Sequence, residues 1–158
     1  MKTPLTFLLS LTFLFLFCGS VYGDDYQDGL DAFERKDYET AYKLILPLAE
    51  QGDARAQTAL GLMYAEGLGF PQDYKEAVKW YRLSAEQGNA KAQYNLGNLY
   101  AKGTGVLQDY ALAHMWFNLC GFSGDKDCVN NRDVIEKQMT PQQIEKAQEM
   151  ARNWKPKK

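Results

Sequence analysis

The 158-residue chain holds a single histidine, His114, and three cysteines. One histidine excludes a multi-histidine metal centre, and two or three cysteines without nearby histidines make a poor zinc set. Positive charge is not in excess: 18 Lys and Arg stand against 20 Asp and Glu, a net charge of −2. No basic face marks a nucleic-acid binder. The one basic cluster, Lys155 to Lys158, reads as a frayed C-terminal tail. Apolar runs are short as well. The longest, from Leu5 to Phe17, falls below the ~20 residues of a comfortable membrane span.

That run is preceded by Lys2 and followed by Val21-Tyr22-Gly23, small residues at the −3 and −1 positions of a cleavage site. Residues 1–23 therefore read as a secretory signal peptide, with the mature chain expected to start near Asp24. Losing Lys2 would take the net charge from −2 to −3. Cys18 at the end of the run raises a lipid-anchored alternative. Phe17 before it is bulkier than lipoprotein signals carry there, so cleavage after Gly23 fits better.

What the chain has in abundance is itself. The stretch AEQGDARAQTALGLMYAEGLG from Ala49 returns thirty-six residues later as AEQGNAKAQYNLGNLYAKGTG from Ala85, with thirteen of twenty-one letters unchanged. Asp37-Tyr38, Asp73-Tyr74 and Asp109-Tyr110 share that period, as do Ala41, Ala77 and Ala113, and Gly52, Gly88 and Gly124. A period of this length signals units that cannot bury their apolar faces alone and must stack.

Within one unit, Ala56, Leu60, Met63, Tyr64 and Gly67 fall at helical steps, and so do Ala77, Trp80, Tyr81, Ser84 and Ala85. The stretch from Gly67 to Asp73 breaks the pattern with glycines and Pro71, and Asp73 with Glu76 spells an acidic capping box. Each unit is thus predicted to be an antiparallel helical hairpin. At the end of the chain, Thr140, Pro141 and Gln143 spell a helix start, and Ile144, Ala147, Ala151 and Trp154 form one apolar stripe. The expected fold is an all-α solenoid of about three hairpins, 25–52, 53–88 and 89–124, with a C-terminal cap over 125–154 whose last arm closes the stack.

The Leu-Gly-x-x-Tyr-x-x-Gly-x-Gly pattern, the Asp-Tyr pair and Ala-Glu-Gln-Gly together resemble the Sel-one-like repeat, a relative of the tetratricopeptide repeat. The resemblance covers about residues 25–154. If Gly29 matches Gly61, the first unit has a loop four residues shorter and lacks Gly-x-Gly, so it looks like an ordinary tetratricopeptide hairpin. In the repeat register Cys120 takes the place of Ser84, and Cys128 that of Ala56 and Ala92, small positions facing each other across a junction. The Cys-x7-Cys spacing is similar to that of secreted cysteine-rich relatives, which implies a Cys120–Cys128 disulfide. A soft-metal thiol pair is the weaker alternative.

Chemistry is sparse. His114 lies within a helix between Ala113 and Met115. Ser123 and Lys126 spell S-x-x-K, a match that matters because some cysteine-rich relatives carry β-lactamase labels. It falls at a turn and has no S-D-N or K-T-G companion. The Gly67/Gly69 and Gly103/Gly105 pairs have no strand before them and no Lys-Ser/Thr after them, so they are turns and not phosphate loops. No catalytic residue, metal or cofactor is expected.

Function should then come from surface. Solenoids of this kind bind peptides or proteins on the inner face lined by their first helices. Once core positions are set aside, that face is predicted to show Arg55, Ala59, Leu62 and Glu66 on one helix and Lys91, Asn95, Asn98 and Lys102 on the next. The resulting expectation is a non-enzymatic interaction module of the bacterial envelope, periplasmic or secreted, whose protein or peptide partner is not written in the chain. A cell-wall or β-lactam hydrolase and a secreted effector binding host proteins are the alternatives.

Overall fold

The computed structural model describes residues 21–157, and side chains from residue 25. Cys18 and nearly all of the expected signal peptide lie outside the described residues. Eight helices follow in order: α1 (Val21–Glu34), α2 (Tyr38–Glu50), α3 (Ala54–Glu66), α4 (Tyr74–Glu86), α5 (Ala90–Lys102), α6 (Tyr110–Gly121), α7 (Lys126–Glu136) and α8 (Pro141–Asn153). Successive helices pack on each other from α1 to α7, making the helical-hairpin solenoid. No described helix is long and apolar enough to cross a membrane.

The starts of the helices are chemical. Asp37, Asp53, Asp73, Asn89, Asp109 and Asp125 each accept a backbone N–H of the first turn, satisfying donors that have no partner inside the helix. At Thr140 the box is complete: its N–H donates to Gln143 Oε1 at 2.8 Å, and its hydroxyl accepts from Gln143 N at 3.2 Å. The box expected at Asp73 is only half formed. The Asp73 N–H already donates to the Tyr64 carbonyl at 2.9 Å, so Glu76 has no donor to reach back to and pairs with Lys79 instead.

Inside each hairpin a glycine lets the second helix come close. A Cβ on Gly61 would lie 2.6 Å from the Tyr81 ring, and one on Gly97 would lie 2.7 Å from Phe117. Gly29 meets Ile45 in the same way, sixteen residues on instead of twenty. The first hairpin therefore has the same packing with a connection shorter by four residues, as the alignment of Gly29 with Gly61 requires. Ala41, Ile45, Ala56, Leu60 and Met63 fill the core of the first half, and Ala77, Tyr81, Leu96, Ala113 and Phe117 that of the second.

Junctions between hairpins are held by a repeated side chain. Gln57 Nε2 donates to the Ala49 carbonyl at 3.0 Å, and Gln93 Nε2 to the Ala85 carbonyl at 3.2 Å. The third junction has Val129 at that position. There Cys120 and Cys128, both fully buried, form a disulfide with their Cα atoms 5.9 Å apart. The covalent link replaces the lost amide clamp.

The chain's end departs from expectation twice. Helix α8 is not an arm laid along α7; it folds back onto α6, so that α7 and α8 flank one helix. The basic tail is not frayed where it is described. Lys157 N donates to the Glu86 carbonyl at 2.7 Å and its ammonium pairs with Glu86 at 2.8 Å, strapping the tail over the end of α4. Trp154 and Pro156 lie over the Gly88 turn beneath that strap, and their apolar contact holds down a segment that composition alone reads as loose.

Candidate functional site

The first helices of the hairpins meet on one face. Asn98 on α5 accepts from Asn131 on α7 at 3.3 Å, and residues of α1, α3 and α5 line a common recess. Seven of the eight stripe residues border one or both of two cavities, and Arg55 borders neither. Ala59, Leu62 and Lys91 border a cavity of about 120 Å³ floored by Tyr26, Leu30 and Phe33. Leu62, Glu66, Asn95, Asn98 and Lys102 border a second cavity of about 310 Å³. Leu62 is common to both.

Arg55 lies at the rim. Its guanidinium stacks over the Tyr26 ring at 4.5 Å and pairs with Asp53 at 2.8 Å. The same guanidinium, with the Ala56 and Arg55 amides, holds the Asp53 carboxyl below the usual carboxylate range. Burial pushes the Tyr26 phenol up, opposed by the Arg55 charge. Burial likewise raises Tyr81, so these two phenols stay neutral at ordinary pH.

Sequence reasoning missed the aromatic part of the face. Tyr26, Phe33, Tyr74 and Tyr94 also line these two cavities. Tyr94 has a signal in retrospect: it replaces Thr58 in the repeat register, one of the places where the two copies differ. With Gly29 aligned to Gly61, Tyr26 takes the place of Thr58 and Tyr94, and Phe33 that of Ala65 and Ala101, a position where the other units carry no aromatic residue.

The other candidates resolve into structure. His114 is fully buried and its Nε2 lies 2.6 Å from Glu136 Oε1, tying α6 to α7. The Ser123 hydroxyl donates to the Cys120 carbonyl at 2.6 Å, a helix-end bond that commits the proton an acyl-transfer nucleophile would have to give up. Asp125 caps α7. Among the described residues no group of three or more His, Cys, Asp or Glu is placed to hold a metal ion.

Known proteins share this architecture. The protective antigen c5321 of uropathogenic Escherichia coli, which displays an SLR fold, superposes with a TM-score of 0.80 at 28% identity, over 85% of this chain and 30% of the antigen. A Sel1 repeat protein from Oxalobacter formigenes matches with a TM-score of 0.67 at 30% identity, over 72% of this chain and 46% of its own. The chain thus spans less than half of either structure. No curated protein matches it. The Sel1 repeat pattern itself matches residues 22–53, 54–89 and 90–119, most of the described chain, and with that the chain belongs to the Sel1 repeat family.

Proposed function

We propose that the protein is a non-enzymatic adaptor that binds an extended segment of a partner protein across the face formed by α1, α3 and α5. The observation that carries this reading is that the two cavities adjoin at a shared lining residue, Leu62. An apolar side chain of the partner seats among Tyr26, Leu30 and Phe33. The adjoining backbone lies over Asn95 and Asn98, whose amides both donate and accept, with Lys91 and Lys102 beside them for carboxylates. No bond is made or broken in this role.

An exported setting, periplasmic or secreted, supports the same reading. The segment 1–23 has the pattern of a secretory signal. The buried Cys120–Cys128 disulfide suits an oxidising compartment.

The test is site-specific photocrosslinking of the exported protein in its native envelope. A crosslinker at Asn95 is expected to capture a defined partner that the same group at Lys79, on the second helix of a hairpin, does not capture. Leu62→Glu should abolish the adduct while leaving the circular dichroism spectrum unchanged. Equal capture from Lys79, or an adduct that survives Leu62→Glu, overturns the assignment of this face.

A further inference from the structure

The return of α8 onto α6 opens a cleft that no other part of the solenoid has. Its floor is one stripe of α6, His114, Asn118 and Phe122, and its walls come from α7 and α8; its volume is about 310 Å³. Most of its charges are already engaged. Glu136 is bound to His114 Nε2 at 2.6 Å, and Arg132 donates to Asp133 at 2.7 Å and to Asn118 at 3.4 Å. Arg152 differs. It is exposed and makes no ion pair among the described residues, with Gln148 one helical turn before it on the same wall.

Arg152 and Phe122 also border a second cavity of about 510 Å³, whose wall includes Leu119, Ala151 and Trp154. Phe122 stands on the seam between the two, with 73% of its surface exposed. An uncommitted guanidinium and an apolar recess therefore share one edge. A guanidinium favours a carboxylate, which it can bind through two parallel N–H donors. The recess favours an apolar or aromatic side chain against Phe122 and Trp154. Side chains two positions apart on an extended strand point to the same face and lie close enough to use both anchors.

We propose that this α6–α7–α8 cleft docks an extended segment of a partner protein that carries an acidic residue two positions from an apolar one, the carboxylate on Arg152 and the apolar side chain against Phe122. The surface is separate from the first-helix face, so either site can fail without the other.

The experiment is an amide NMR titration of the disulfide-intact protein with two short peptides, acetylated and amidated, one containing Phe-Ala-Glu and the other Phe-Ala-Gln. The Phe-Ala-Glu peptide is expected to shift the amides around Phe122, Gln148 and Arg152. Its affinity should exceed that of Phe-Ala-Gln by about two- to fivefold, the worth of an ion pair to an exposed guanidinium. Arg152→Gln should remove that preference, and Phe122→Ser should weaken both peptides. Equal affinity for the two peptides, a preference that survives Arg152→Gln, no shift at all, or shifts confined to Asn95 and its neighbours would overturn the proposal.

Discussion

Changing Gly105 to alanine tests how the units are held together. Gly105 sits in the turn between α5 and α6 with φ +71°, and a Cβ there would lie 2.5 Å from the carbonyl carbon of Tyr74 and closer still to its oxygen. Tyr74 opens α4 of the preceding hairpin, so the contact is the seat of one unit on the next. Gly52 is the control: its φ is +98°, yet a Cβ added there meets nothing within 4 Å. Gly52→Ala isolates the cost of the left-handed backbone, about 1–2 kcal/mol. Gly105→Ala adds a clash with backbone, for which overpacking of this kind costs about 1–3 kcal/mol more. The expected losses in thermal midpoint are about 3 °C for Gly52→Ala and about 8 °C or more for Gly105→Ala in a domain of this size. Urea unfolding of the disulfide-intact proteins, followed by far-ultraviolet circular dichroism, gives the free energies directly. At Gly97 the obstacle is the Phe117 ring, a side chain, so Phe117→Leu should restore part of the stability lost in Gly97→Ala. If Gly105→Ala costs no more than Gly52→Ala, the turn is not the seat of the stack and the packing argument is wrong.

Two further outcomes follow from the same coordinates. Reducing the Cys120–Cys128 bridge, which closes a short loop of sequence separation 8, should lower stability by about 2–3 kcal/mol on the chain-entropy account, read as a drop in urea midpoint; an unchanged midpoint would show that the junction holds without it. Asp53 has its carboxyl lowered in the folded state, chiefly by the Arg55 hydrogen bond, so its contribution is present above the ordinary carboxylate value and is lost as pH falls through the folded one. Asp53→Asn, which keeps an N-cap, should be less stable than the parent at neutral pH and converge with it once pH falls below the lowered folded-state value. A difference that is independent of pH would refute that assignment.

The repeat was legible because a solenoid writes its packing twice. Alanines at fixed places, glycines at helix ends and aromatic residues between them report local periodicity and backbone conformation, which depend on near neighbours in sequence. The hairpins and the junction cysteines were within reach of that reading. Partners across the stack were not. The recurring Asp-Tyr and the Gly-x-Gly are separate motifs in sequence, yet Gly105 rests on Tyr74 and Gly69 on Tyr38, each on the hairpin before it. Glu76 looked like half of a capping box because the bond from Asp73 to Tyr64 joins the turn to the previous helix, beyond the four-residue motif.

By itself, then, the sequence determined that helices form, where they stop, and how often the unit repeats, since those follow from local backbone preference and the helical period of apolar residues. Only the tertiary structure decided which side chains share a cavity, that α8 returns to α6, and that the tail is strapped to Glu86. The cavities come from contacts between residues dozens of positions apart, and the α8 return and the tail strap are made in the unrepeated C-terminal segment, where no second copy constrains the reading.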